Sequence, residues 1–149
     1  MHKDIRKIKQ LIEPILKKYD ILALYLFGSQ ARGESDKNSD YDLGVVFVDP
    51  EIYRDNTLEV YSELYKELVD FLPKDYLRKR FQSGRHEFDL VFLQFSAISF
   101  QYKAIKEGKV IYESDRKQRL DYEEYVMKRY CDLAPLRQRY QEAVLDRIK

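Results

Sequence analysis

The chain has 149 residues, 27 basic and 26 acidic, for a formal charge of +1 at neutral pH. Its length predicts one domain with a real core, and the even charge balance gives no global attraction to nucleic acid. One cysteine, Cys131, excludes an internal disulfide and fits a reducing compartment, where it reads as a small packing group. The N-terminus is charged rather than leader-like, and no apolar run approaches the roughly 20 residues of a membrane span. A soluble, cytoplasmic protein is expected.

Ile5, Ile8, Ile12, Ile15 and Tyr19 recur at helical spacing and predict a helix over residues 4–19, with Asp4 near its start. Pro14 is expected to bend or interrupt it. The apolar run from Ile21 to Phe27, ended by Gly28, reads as a buried strand. Ser29-Gln30-Ala31-Arg32-Gly33 then forms a turn or short helix whose free N–H groups suit phosphate oxygens. Tyr41 to Val48 predicts a second buried strand, ended by Asp49-Pro50.

Leu58, Tyr61, Leu64, Tyr65, Leu68 and Leu72 mark the core face of a helix starting near Asp55 or Asn56. Glu59 is placed for a capping box, and Pro73 for a stop. The strongly basic stretch from Lys74 to His86 leads into a strand over Glu87 to Leu93. Ser96 is expected to cap a helix reaching Glu107, and Gly108 to close it in the left-handed conformation. Val110 to Tyr112 predicts a last strand.

From Ser114 the chain reads as charged helix, with Leu120, Met127, Tyr130 and Leu133 on one face. After Pro135, Leu136, Tyr140, Val144 and Ile148 follow in the same way. This order predicts an α/β (α+β) fold, a small mixed sheet with helices on one side. Residues 1–113 would be the core and 114–149 a helical extension of the same domain.

The most specific signal is Gly28-Ser29, ten residues, then Asp40-Tyr41-Asp42. Two positions apart on a strand, Asp40 and Asp42 project from one face, roughly 7 Å apart along the backbone, and are read as metal ligands. Magnesium is usually held by one or two carboxylates plus substrate phosphates. A pair of metals can stabilise the attacking and leaving oxygens of a phosphoryl displacement. Asp89 interrupts an apolar strand whose Phe88, Leu90 and Phe92 face the other way; an unpaired buried carboxylate is costly, so it reads as a third acid of the same site. Gly28 permits close approach of backbone to phosphate, and the Ser29 hydroxyl and N–H would bind a terminal phosphate. Arg32 reads equally as a phosphate contact or a partner of a carboxylate. Together these residues predict transfer of a nucleotide from a metal-bound triphosphate.

Arg78, Lys79, Arg80 and Arg85 have three readings: a solvated loop, a clamp on triphosphate or an acidic partner, and a nucleic-acid patch. His86 reads as a surface residue, since hard cations prefer oxygen. Thirteen tyrosines against no tryptophan read as core-rim residues of the helices.

Gly28-Ser29, Ala31-Arg32-Gly33, Ser39-Asp40, Asp42-Leu43 and Phe88-Asp89-Leu90-Val91 resemble, in place, the pattern of the nucleotidyltransferase superfamily that includes DNA polymerase beta. More narrowly the chain resembles the minimal nucleotidyltransferases (MNT proteins) encoded beside HEPN-domain partners. The resemblance covers residues 5 to 113 and implies the small palm-like core of that superfamily. It implies ATP as donor, magnesium (two ions) as cofactor, and a tyrosine of a HEPN toxin as acceptor, the chain serving as antitoxin. It also implies that Asp89 helps hold the catalytic metal and lowers the acceptor hydroxyl's proton affinity. Two other functions share these features. One is an antibiotic-type enzyme adenylylating a small alcohol, against which stands the lack of an extra drug-holding domain. The other is a binding-only antitoxin, against which stand three intact acids.

Overall fold

The computed structural model describes residues 2–28, 41–70 and 88–148. An opening helix, α1 (His2–Lys18), runs unbroken through Pro14. Pro14 lies on the exposed side, so its missing N–H and its ring fall where water can compensate. Asp20 turns the chain with a positive φ of 53°, a conformation that Asp tolerates better than most residues. Strand β1 (Ile21–Phe27) follows. β2 (Tyr41–Phe47) pairs with it antiparallel. Asp49 then accepts a hydrogen bond from the Glu51 N–H at 3.1 Å and caps a single 3-10 turn, Pro50–Tyr53.

Helix α2 (Thr57–Val69) leads towards β3 (Phe88–Phe92), which lies parallel to β2. A second 3-10 turn at Leu93–Phe95 precedes α3 (Ile98–Glu107). β4 (Lys109–Glu113) pairs antiparallel with β1. The sheet is the small mixed one expected, in the order β3-β2-β1-β4. Two charged helices, α4 (Arg116–Asp132) and α5 (Ala134–Ile148), complete the chain.

The helices cover both faces of the sheet rather than one. Ile12, Leu16, Val60, Leu64 and Leu68 of α1 and α2 pack with Leu24, Leu26, Leu43, Val45, Leu90 and Phe92. On the other face Ala104 of α3 joins Ala23, Tyr25, Val46 and Leu93, with Tyr122 of α4 packed against them. The reason is written in β1, which is buried at every position from Ile21 to Leu26. A strand with no polar alternation needs cover on both sides.

Several local expectations change. Leu58 is 78% exposed, and Val60 takes its place in the i, i+4 row with Leu64 and Leu68. Asn56 makes no side-chain cap, so the capping box is absent; the Thr57 hydroxyl donates instead to the Tyr53 and Arg54 carbonyls. Ala97, not Ser96, precedes α3, and the Ser96 hydroxyl donates to the Phe92 carbonyl. Gly108 is extended (φ −80°), not left-handed. It is glycine for space, since a β-carbon there would collide with the Ala104 carbonyl oxygen. The predicted stop at Pro73, and Leu72, lie outside the described residues.

α4 is rotated from the expected face. Leu120 and Met127 are exposed, while a largely polar row turns inward. The Tyr25 hydroxyl donates to Glu123 at 2.7 Å, and Arg119 bridges Glu123 and Glu113. Tyr122 donates to Gln101, whose amide donates to the Ser96 carbonyl, both at 2.8 Å. α5 buries none of its described side chains. Its first turn is held by the Arg137 guanidinium, 3.6 Å from the centroid of the Tyr130 ring, which stacks on Tyr102 at 3.9 Å.

The far end of β2 is closed by a side-chain clasp. The Phe47 N–H donates to the Gln94 amide oxygen at 2.7 Å, and the Gln94 amide nitrogen donates to the Phe47 carbonyl at 2.9 Å. Gln94 thus supplies the two bonds that another strand would otherwise make.

Candidate active site

Parallel pairing of β2 with β3 sets Asp42 directly beside Asp89 in the register. Neighbouring strands lie about 4.8 Å apart, so two carboxylates from adjacent strands enter the same small volume. Alternation puts Leu43, Val45, Leu90 and Phe92 into the core under α1 and α2. Asp42 and Asp89 therefore fall on the face that carries Val46 and Val91.

On the opposite side of β2, the partner of Asp42 is Phe27, the last residue of β1. Gly28 follows with a φ of +78°. That conformation disfavours any side chain. A β-carbon at Gly28 would also overlap the Asp42 Oδ2. The carboxylate occupies the space that the glycine leaves open.

A cleft of about 480 Å³ opens over these residues, lined by Phe27, Gly28, Asp42 and Asp89 on the sheet and by Tyr61, Phe100, Lys103 and Glu107 from helices. Its size falls within the ordinary range for small-molecule sites. Burial, with the Asp89 charge adding to it, pushes the Tyr61 phenol above its ordinary value. Tyr61 is held in place by edge contact with Phe92, with centroids 5.5 Å apart. Among the described residues no group of three His, Cys, Asp or Glu is placed to hold a metal. The described pair, Asp42 and Asp89, offers the hard oxygen donors that magnesium prefers. That donor set fits a divalent ion.

Asp40, Ser29 and Arg32 lie outside the described residues, as do the basic stretch and His86. Of the predicted site, the structure brings together Gly28, Asp42 and Asp89. Sequence reasoning did not assign Tyr61, Phe100, Lys103 or Glu107 to the site. A usable signal existed in α3, where Phe100, Lys103 and Glu107 recur at i, i+3 and i+7, on the side beside the core residue Ala104.

A family model described as polymerase beta, nucleotidyltransferase, matches residues 10–117. A Methanocaldococcus jannaschii protein named as a protein adenylyltransferase is 39% identical over 72 residues, 48% of this chain and 65% of that protein. The match thus spans just under two thirds of that relative's length. Among solved structures, a toxin–antitoxin crystal structure with AMP-PNP superposes with a TM-score of 0.64 at 22% identity, covering 92% of this chain and 98% of that one. A tri-AMPylated Shewanella oneidensis HEPN toxin in complex with an MNT antitoxin gives 0.62 at 20% identity, covering 95% and 98%. A MntA–HepT toxin–antitoxin structure gives 0.62 at 21% identity, covering 97% and 99%. Among the described residues of this chain, no helix is long and apolar enough to cross a membrane.

Proposed function

The chain belongs to the polymerase beta nucleotidyltransferase family, and we propose that it transfers AMP from ATP to a tyrosine of a HEPN-domain toxin, acting as that toxin's antitoxin. The observation that carries the reading is the Gly28–Asp42–Asp89 arrangement: two in-register carboxylates beside a glycine whose side-chain space one of them fills. Asp42 and Asp89, with Asp40, would hold two magnesium ions, which supply charge compensation for the triphosphate. Gly28 lets the backbone approach the phosphates, and Ser29 and Arg32 would complete the phosphate contacts. The acceptor tyrosine oxygen bonds to the α-phosphorus, the bond to the β-phosphate oxygen breaks, and pyrophosphate leaves. Asp89, which lines the cleft and is exposed, takes the phenolic proton.

The acceptor arrives on a protein because a cleft of about 480 Å³ filled by a nucleotide leaves little room for a deep second pocket. α5 offers the docking face: Leu136, Tyr140 and Ile148 are 62%, 72% and 76% exposed. Leu136 and Tyr140 lie one helical turn apart, and grouped exposed apolar side chains mark interaction surfaces. Docking would hold the tyrosine hydroxyl near the α-phosphorus and turn a bimolecular attack into a positioned one. The AMPylated HEPN toxin found with an MNT antitoxin of the same fold supports this choice of acceptor.

The test is co-expression with a HEPN partner, followed by intact-mass and peptide analysis. One or more AMP additions on tyrosine, with loss of toxicity, are expected. Full neutralisation by an Asp40→Asn, Asp42→Asn double variant, with no adduct, would replace transfer by binding alone.

A further inference from the structure

Helix α3 lines the same cleft as the two carboxylates. Ala104, 2% exposed, seats the helix on the sheet. The Gly108 N–H donates to the Ala104 carbonyl at 2.8 Å, and a β-carbon on Gly108 would lie 3.3 Å from the Leu26 carbonyl oxygen. The last turn of α3 is thereby fixed beside the end of β1, where Gly28 begins. Lys103 precedes Ala104 and lies one helical turn before Glu107, and all three line the cleft.

Lys103 is the one cation among the described lining residues. An i, i+4 pair with Glu107 would be the ordinary fate of a lysine at this spacing. None of the ion pairs among the described residues uses Lys103, although such i, i+4 pairs do form elsewhere, as between Lys128 and Glu124. Its ammonium is thus a positive charge brought to a cleft that Asp42 and Asp89 also line.

We propose that the Lys103 Nζ holds a non-bridging phosphate oxygen of the bound nucleotide, in the cleft that Asp42 and Asp89 also line. The inference rests on the nucleotidyltransferase reading and adds to it a phosphate-binding residue on α3. The physical reason is charge balance. A triphosphate carries about four negative charges, and divalent ions already shared with carboxylates offset them only in part. Lysine suits the role as a compact point charge on a flexible stem, able to follow the phosphate chain. Placement on a helix seated by Ala104 keeps the charge at a fixed height over the sheet.

Calorimetric binding of magnesium-loaded ATP, and of ADP, AMP and adenosine, to the full chain tests the proposal. Lys103→Met should weaken ATP about tenfold, the loss of one charge-assisted hydrogen bond. The effect should shrink as phosphates are removed and vanish for adenosine, and Lys103→Arg should recover most of it. The melting temperature should not change, because the side chain is exposed. Unchanged ATP affinity in Lys103→Met, or an equal loss for adenosine, overturns the proposal while leaving the enzyme reading intact. Absence of any ATP binding by the natural chain would overturn both.

Discussion

Gly28→Ala separates the cost to the fold from the cost to the site. Gly28 has a φ of +78°. Forcing an L-residue into that region costs about 1–2 kcal/mol. For a chain of this size that is a fall in melting temperature of about 3–6 °C, well within a typical stability margin. The chemical cost is greater because the new methyl group claims the position of Asp42 Oδ2. The carboxylate must rotate away, and it leaves its place beside Asp89. Removing one preorganised electrostatic contact costs about 3–4 kcal/mol of barrier, a loss of about a hundredfold to a thousandfold in turnover. Thermal unfolding paired with AMP incorporation into the partner at saturating ATP measures both. A variant that melts several degrees lower yet transfers AMP at the natural rate would refute the reasoning, since Asp42 would then not need the place it occupies.

Arg119→Ala should destabilise the fold by about 2–3 kcal/mol without touching the cleft, because a guanidinium only 14% exposed bridges Glu113 and Glu123; urea unfolding measures it. Hydrogen bonding from Arg119 holds the Glu113 carboxyl below its ordinary value. The stability it contributes is complete above the usual carboxylate range and is lost as pH falls through the lowered value. Urea midpoints followed downward from about pH 6 should drop less steeply in Arg119→Ala than in the natural chain. Leu136→Asp with Tyr140→Asp should weaken partner binding by more than about tenfold, as loss of apolar anchors does. The melting temperature should hold, both residues being exposed; a pull-down that captures partner as well as the natural chain would move the docking face off α5. Changing Arg78, Lys79, Arg80 and Arg85 together to Ala should weaken ATP or partner binding most at low salt; unchanged affinity for both at low salt would return the stretch to a solvated loop.

The strands were legible because apolar runs bounded by Gly or Pro have few other readings. β1 and β2 fall within a residue of where periodicity places them. Asp89 falls on β3 at the cleft, as its place in the apolar run predicts, but it is exposed there, so the cost of burying a carboxylate is not what sets it apart. The second face of the sheet could be read from β1 in principle, yet the order of elements does not say on which side each helix lands. α4 shows a further limit. Its inward row is Arg119, Tyr122, Glu123 and Val126, so a search for apolar periodicity selects the outward Leu120 and Met127 instead. Polar burial becomes visible only when Glu113, Tyr25 and Gln101 are brought alongside. Lys103 and Tyr61 escape the sequence reading because they reach the cleft from helices that fold back over the strand ends.

The Gln94 clasp at Phe47 has a kinetic meaning. Asp42 and Asp89 meet only through a pairing between segments 47 residues apart, the same separation that the clasp spans. Closing so long a loop in parallel orientation is slow compared with forming the neighbouring helices. A slip of one residue in β3 would send Asp89 to the face beneath α2 and expose Leu90 in its stead. The clasp ties the end of β2 to the residues just after β3, so a slipped pairing cannot make its two bonds. Gln94→Ala should therefore slow the last refolding phase, and recovery of transfer should lag behind recovery of helical signal. The enzyme would be the final thing the chain becomes.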